Sequence, residues 1–309
     1  MSTFESRKRS RELNEKLIKL ALTSAAAISI LTTFGILFSI LFEAIEFFKL
    51  RSFWYFITGA TWSPGVIGSQ FGALPIFAGT FVITIIALGV AIPVGLGSAI
   101  YMSEYASANI RDYLKPLLEI LAGIPTVVYG FFAAITVAPL VVQIAEFFGL
   151  EATFNSALAS GVVMGIMIIP VISSLSDDVI RAVPDSQRKA AFALGMTHGE
   201  TIKNIVLPSA MPGIISASLL GLSKALGETM IVVMAAGLRP NLSWNPLEDM
   251  TTVTVTIVNS LVGDFEFNSP ETLSAFALGL ILFVVTLILN MISLSLIRKF
   301  KEKYKVNTL

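Results

Sequence analysis

Cysteine and histidine are nearly missing from this chain. Its 309 residues include no Cys and a single His. Without Cys the chain can form no disulfide, no thiolate nucleophile and no Cys-ligated zinc or iron–sulfur centre. One His excludes a metal site built from several imidazoles. We therefore expect neither a disulfide framework nor a resident metal.

Charged residues are also scarce. They make up 14% of the chain, whereas soluble domains carry about 25%. The formal net charge is zero, which excludes the strongly basic surface of a nucleic-acid-binding protein. The mean hydropathy of +0.81 excludes a soluble enzyme or a disordered chain. The composition therefore indicates an integral membrane protein.

Long apolar runs give the number of membrane spans, since a helix needs about 20 mostly apolar residues to cross a bilayer. Two charges, Lys224 and Glu228, interrupt one such run, residues 213–237. The other runs contain no charged residue and cover residues 20–42, 76–101, 120–145, 152–176 and 272–297. The short alternating segments of an outer-membrane barrel are not seen. We predict an all-α integral membrane protein with six transmembrane helices.

The distribution of Lys and Arg predicts the orientation. Lys49, Arg51 and Arg239 fall in predicted outside loops, and nearly all other basic residues fall on the opposite side. We therefore predict a multi-pass protein of the plasma (inner) membrane with cytoplasmic N- and C-termini. Residues 1–72 would hold the N-terminus, an anchor helix and the first outside loop. Residues 73–298 would form a five-helix core with a cytoplasmic loop at 177–212, and residues 299–309 a cytoplasmic tail.

Residues 123–126, Gly-Ile-Pro-Thr, combine a glycine, a proline and a hydroxyl inside a predicted span. Proline lacks a backbone N–H and interrupts helices. One interpretation is an ordinary kink, and the other is a discontinuous helix that lines a translocation path. The residues alone leave both open.

Lys224 and Glu228 lie inside the fifth predicted span. Each such charge costs about 2.5–3.5 kcal/mol on insertion scales. Their spacing of four residues predicts that they share one helical face. They would then either form an ion pair that fixes this helix, or line a path in which the ammonium attracts an anion. The cost of the charges favours the second interpretation.

The cytoplasmic loop 177–212 is predicted to hold two short helices. Pro184 can start the first, and Gly195 can end it in a left-handed conformation. The second would run over residues 197–206, before Leu207. Asp177 and Asp178, which begin the loop, are interpreted as a solvated helix end.

The same loop resembles the "EAA" loop of type I ABC-transporter permeases. The matching positions are Ala190, Ala191, Gly195, Ile205, Leu207 and Pro208, and Lys189 stands where the motif has Glu. The resemblance implies the type I ABC importer permease fold and a loop that docks on a separate ATPase subunit. The chain has no GxxxxGK[ST] phosphate loop. ATP and Mg²⁺ are therefore expected on that partner, with no cofactor in this chain and no enzymatic activity of its own.

Further segments resemble phosphate-specific ABC permeases of the PstC type. Residues 222–230, LSKALGETM, are similar to the family's RALGET segment, with Lys224 at the Arg position. Residues 119–130, EILAGIPTVVYG, are similar to its ELLAGIPSVVYG segment, and residues 58–64 and 71–75 also match. This resemblance implies a substrate path that includes Lys224, Glu228, Thr229 and Thr126.

The resemblance implies a permease subunit of an ATP-driven phosphate importer. Expected partners are a PstA-type permease, an ATPase dimer, an extracytoplasmic phosphate-binding protein and membrane lipid, with no nucleic acid. One alternative is a permease for another oxyanion, sulfate or molybdate. An ion-coupled secondary transporter would predict internal repeats, which we do not see. A membrane-embedded enzyme would need a motif such as HExxH or GxSxG, and both are missing.

Overall fold

The structure is a computed structural model that describes residues 2–65, 69–262, 266 and 268–303, with side chains described from residue 14 to residue 300 within those ranges. Within them, six helices are long and apolar enough to cross a membrane. This confirms the six predicted transmembrane helices. Their bounds are Asn14–Leu50, Leu74–Tyr105, Thr126–Phe147, Ala157–Arg181, His198–Leu226 and Pro270–Phe300.

The described chain is almost entirely helical. The helices of its first half are α1 (Ser2–Leu50), α2 (Phe53–Thr58), α3 (Leu74–Ile100), α4 (Ala108–Gly123), α5 (Thr126–Phe132) and α6 (Ala138–Phe147). Those of its second half are α7 (Ala157–Arg181), α8 (Asp185–Ala193), α9 (His198–Thr201), α10 (Leu207–Leu226), α11 (Met230–Ala235), α12 (Val253–Val262) and α13 (Pro270–Lys303). Short π-helical segments extend α3 (Tyr101–Tyr105), join α5 to α6 (Ala133–Val137) and join α9 to α10 (Ile202–Val206).

A small hairpin is the one departure from all-α structure in the described ranges. Strands β1 (Trp62–Ser63) and β2 (Gln70–Phe71) pair antiparallel. The hairpin lies in the first loop and packs the Trp62 ring edge-on against Phe71, with centroids 5.6 Å apart. It thereby closes the aromatic cluster described below.

Helices α3 and α7 pack most closely and form the centre of the molecule. Small residues permit this approach: a Cβ added at Gly165 would lie 2.8 Å from the carbonyl oxygen of Ala87. Helices α5, α10 and α11 add Tyr129, Ala225 and Ile231 to the same buried cluster. The central core therefore contacts the helices next to both unusual segments of the sequence. These are the Gly-Ile-Pro-Thr stretch at 123–126 and the charged stretch that holds Lys224 and Glu228.

Helix α1 stands apart from this centre. It packs against α13, and near its end Phe47 joins an aromatic cluster with Phe56 and Phe71. Most of its remaining apolar side chains are exposed; Leu31, for example, is 71% exposed. Such a long apolar surface is stable only against lipid or another protein.

Candidate functional site

The fifth span does not continue through Glu228. Helix α10 ends at Leu226, and the chain passes through residues 227–229 before α11 begins at Met230. The predicted span at 213–237 is therefore wrong in its bounds, because the helix starts earlier, at His198, and stops earlier. Gly227 is the residue at which it stops, with its N–H bonded to the carbonyl of Ser223 at 3.3 Å.

The two charges consequently do not share a helical face. In the described part of the chain no ion pair joins Lys224 to Glu228. Lys224 lies in the last turn of α10 and is half-buried. A cation is favoured there because the carbonyl end of a helix carries partial negative charge.

The side chain of Glu228 bonds to the backbone instead of to Lys224. Its Oε1 accepts hydrogen bonds from the backbone N–H groups of Met230, at 3.0 Å, and Ile231, at 3.3 Å. The side chain is therefore a cap for the first turn of α11, which otherwise has unpaired N–H groups. Its own carbonyl accepts the hydroxyl of Thr254 at 2.8 Å. Glu228 is 8% exposed, so it holds the break in shape from inside.

The predicted third span, residues 120–145, is also wrong at its start, because the third span begins only at Thr126 and a break in the helix precedes it. Helix α4 ends at Gly123 and α5 begins at Thr126, which is half-buried. Between them Ile124 and Pro125 are extended, with ψ of 128° and 138°. The hydroxyl of Tyr129 donates to the carbonyl of Leu121 at 2.9 Å, and the N–H of Ile124 donates to the same carbonyl at 3.3 Å, so two hydrogen bonds hold the end of α4. Residues 123–126 are therefore a break between two helices and not a kink within one, whereas their place in a translocation path stays a prediction.

The two breaks are close in the fold because α5 packs against α11. A Cβ added at Gly130 would lie 3.1 Å from the carbonyl oxygen of Met230, so the helices touch backbone to backbone. Thr126 and Thr229 each lie where a chain segment starts again after its break. An ammonium group and hydroxyl groups both donate hydrogen bonds to an oxyanion. The predicted path residues thus border two neighbouring helix interruptions.

The loop at residues 177–212 matches its prediction in the first half. Helix α8 follows Pro184 and ends before Gly195, whose φ of +81° is left-handed as predicted. Ala191 is buried, whereas Ala190 and Gly195 are exposed. Beside them Phe192 is 45% and Leu194 81% exposed, which leaves an apolar surface at the end of α8.

The second half of the loop differs from the prediction. Thr197 caps a helix that does not end before Leu207 but continues without interruption to Leu226. Pro208 begins α10 directly after a π-helical segment. In that segment the N–H of Leu207 bonds the carbonyl of Ile202, five residues earlier. The proline, which has no N–H, therefore comes where the regular i→i−4 bonding is already interrupted. Ile205, Leu207 and Pro208 are half-buried and join the loop rigidly to the fifth span.

Sequence reasoning missed a set of ion pairs at this end of the molecule. Asp177 is completely buried and is bonded to Arg111 at 2.7 Å, so its interpretation as a solvated residue is wrong. Asp178 is half-exposed and pairs with Lys115, also at 2.7 Å. The positive-inside pattern places all four residues on one side, and that signal could have suggested the pairs.

These features define a class: a membrane protein with six candidate spans and two neighbouring helix breaks, one of them beside Lys224 and Glu228. A family model described as "binding-protein-dependent transport system inner membrane component" matches residues 91–302. The chain belongs to this family.

Named relatives extend the similarity over most of the chain. It is 32% identical to the probable ABC transporter permease protein YqgH of Bacillus subtilis, across 97% of this chain and 95% of that protein. It is 34% identical to the phosphate transport system permease protein PstC of Mesorhizobium japonicum, across 87% and 86%. For PstC 1 of Mycobacterium tuberculosis the identity is 32%, across 83% and 85%.

Solved transporters share the fold at lower identity. A bacterial ABC transporter that imports the polysaccharide alginate gives a TM-score of 0.56 at 14% identity, covering 86% of this chain and 96% of that chain. The inward-facing MetNI methionine ABC transporter gives 0.55 at 16%, covering 74% and 94%. The type I ABC importer permease fold predicted from the loop is confirmed.

Proposed function

We propose that this chain is a transmembrane permease subunit of an ATP-driven importer of inorganic phosphate. The observation that carries the proposal is the identity of 32–34% to phosphate permeases of the PstC type over 83–87% of the chain. The paired helix breaks support it, because Lys224, Thr229 and Thr126 border them and carry groups that donate hydrogen bonds to an oxyanion.

Lys224 supplies the attraction in this proposal. The residue is half-buried, so its charge is screened less than a charge in water. Thr126 and Thr229, at the two helix breaks, offer hydroxyls along the same proposed path. Glu228 is occupied by the backbone of α11, and we assign it the task of shaping the path. A path must also release its ion, so a single cation suits it better than a tight multi-arginine site.

The remaining parts of the machine belong to the proposal as well. A PstA-type permease completes the path, and an extracytoplasmic phosphate-binding protein delivers the anion. A dimer of ATPase subunits docks on the surface around Ala190, Ala191 and Gly195, and ATP and Mg²⁺ bind there, not in this chain. We call the loop at residues 177–212 the docking loop. Both termini are assigned to the cytoplasm in this proposal, because the docking loop must then lie on the same side as the ATPases.

Labelled phosphate uptake tests the proposal. Cells that lack their own PstC-type subunit but keep the other components receive either this chain or its Lys224→Ala variant. We expect ATP-dependent uptake with the native chain, and a loss of roughly tenfold or more in the variant, because 1.4 kcal/mol already changes a rate tenfold. Membrane levels of both proteins are measured by immunoblot.

Competition separates phosphate from the alternative oxyanions. Excess sulfate or molybdate should leave the labelled uptake unchanged, whereas unlabelled phosphate should abolish it. If excess sulfate or molybdate suppresses the uptake of labelled phosphate, the path is not selective for phosphate, and the alternative oxyanion is favoured as the substrate. Normal uptake by Lys224→Ala would remove Lys224 from the path.

A further inference from the structure

Helix α4 is fastened to the cytoplasmic end of α7 by two ion pairs. Arg111 Nη2 lies 2.7 Å from Asp177 Oδ2, and Lys115 Nζ lies 2.7 Å from Asp178 Oδ1. Arg111 and Lys115 are one turn apart on α4, and the two aspartates are consecutive on α7. Because the two contacts are spaced along α4, they fix both the distance between α4 and α7 and the position of α4 along the axis of α7.

The docking loop is fastened to the same place. Arg188 of α8 donates to the carboxylate of Glu104 at 2.8 Å and to the carbonyl of Ile180 at 3.0 Å, and it also bonds the carbonyl of Val183. The side chains of Arg188 and Glu104 are 15% and 5% exposed. Because both are nearly buried, this bond is poorly screened and directional. Helix α8 therefore moves with the ends of α7 and α3.

The other end of α4 leads directly to a helix break. Gly123 is its last residue, Ile124 and Pro125 are extended, and α5 follows, packed on α11. An unbroken series of contacts thus runs from the docking loop through α7 and α4 to the two interruptions. A helix that is held at one end and jointed at the other can transmit a displacement.

The buried pair is only half engaged in this conformation. Arg111 Nε and Asp177 Oδ1 are buried and have no hydrogen-bond partner, and the hydroxyls of Ser173 and Ser176 are in the same condition. Unpaired buried polar atoms cost free energy. A small displacement of α4 along α7 that brings Nε to Oδ1 would complete a bidentate pair. The contact is thus suited to two positions of α4.

We propose that Arg111 and Lys115, through Asp177 and Asp178, are positioning residues that transmit movement of the docking loop to the break at Ile124–Pro125. This inference rests on the proposed function for its ATPase partner, although it does not depend on the identity of the anion. Loss of the link should leave ATP hydrolysis running while the path no longer responds.

The exposed pair offers the cleaner test, since removal of Arg111 would leave a buried unpaired carboxylate. The complete transporter is reconstituted in liposomes with native chain, Lys115→Asp, Asp178→Lys, or both changes together. Phosphate uptake and binding-protein-stimulated ATP hydrolysis are measured on the same samples. Lys49→Ala, which breaks the exposed pair with Glu46 near the end of α1, is the matched control.

We expect each single variant to lower phosphate moved per ATP by about fivefold or more, the lower end of usual coupling energies. The double variant should restore most of the ratio because it re-forms the pair with reversed charges. A parallel fall of uptake and hydrolysis, an unchanged ratio, or no recovery in the double variant would overturn the proposal.

A labelling experiment keeps this inference separate from the choice of substrate. The chain has no native cysteine, so Val127→Cys gives a single reporter on α5, where Val127 is 49% exposed. Its rate of reaction with a water-soluble maleimide is compared with and without ATP plus vanadate. We expect a nucleotide-dependent change that Lys115→Asp removes and the charge swap restores.

The two results can be told apart. A nucleotide response without phosphate uptake would leave the link in place and reject phosphate as substrate. A response that persists in Lys115→Asp, or no response with the native ion pairs, would reject the link whatever the substrate is.

Discussion

Lys224 and Glu228 each lie at a helix end. The free energy that a charge gains there explains why we assign the two residues different roles. A charge at a helix terminus gains about 0.3–1 kcal/mol, and an i,i+4 pair about 0.2–0.5 kcal/mol. Either is smaller than the cost of about 2.5–3.5 kcal/mol for a charge at membrane depth. Glu228 makes up part of this cost by two backbone hydrogen bonds, whereas Lys224 has no such bond in the described structure. The uncompensated residue is therefore the one we assign to the anion.

Substitution of Glu228 separates the two roles. Glu228→Ala removes the cap of α11 and should lower the free energy of unfolding by about 1 kcal/mol. Glu228→Gln keeps an amide oxygen that can accept one of the two N–H groups, so we expect a smaller loss. Thermal unfolding of the purified protein in detergent measures both.

The transport assay completes this prediction. Because Glu228 acts on shape, Glu228→Gln should reduce phosphate uptake less than Lys224→Ala does. The reverse order, with both proteins stably inserted, would make Glu228 the primary group in the path.

At the level of helices and loops, the docking loop depends on one backbone conformation. Gly195 ends α8 with φ of +81°, and open space surrounds the position where a Cβ would lie. The turn therefore requires glycine at this position for its backbone conformation and not for lack of space, since a left-handed backbone costs a residue with a Cβ about 1–2 kcal/mol. The turn sets the angle between α8 and the helix that starts at His198, and through it the surface offered to the ATPase.

Gly195→Ala should consequently weaken coupling without unfolding the span. We expect binding-protein-stimulated ATP hydrolysis to fall severalfold, since about 1–2 kcal/mol of strain falls on the docking surface. Gly199→Ala is the control, because Gly199 is helical and also has open space around it. Equal hydrolysis in both variants would show that the left-handed turn is not needed for docking.

For the molecule as a whole, patterns of composition predicted far more than patterns of contact did. Hydropathy gave the six spans because each depends only on its own residues. Proline chemistry indicated an irregular backbone at residues 123–126 but left a kink and a break both open, and the turn at Gly195 followed from the usual helix C-cap. The pair of Arg111 with Asp177 joins residues 66 positions apart, and no local pattern contains that information.

The errors in the candidate site have the same physical origin. Lys224 and Glu228 were expected on one face because spacing assumes a continuous helix, whereas Gly227 interrupts it. Leu207 and Pro208 were expected to end a helix because proline usually does, but the helix continues past them from the π-helical segment that directly precedes them. Both errors concern where a helix stops, which depends on packing against neighbouring helices.

The orientation of the whole chain is a prediction that the absence of cysteine makes easy to test. Trp244, 74% exposed, lies between α11 and α12, and Leu194, 81% exposed, lies in the docking loop. The distribution of Lys and Arg places the first outside and the second in the cytoplasm. We expect Trp244→Cys to react with a membrane-impermeant maleimide in intact cells, and Leu194→Cys to react only after the membrane is opened.

The same labelling distinguishes a wrong orientation from a wrong number of spans. Reaction of Leu194→Cys, and not of Trp244→Cys, in intact cells would invert the chain and remove the docking loop from the compartment that holds ATP. If both react in intact cells, the helix from His198 to Leu226 does not cross the membrane, since it separates the two positions. Either result would contradict the proposed importer, because an ATPase must reach α8 from the side opposite to the binding protein.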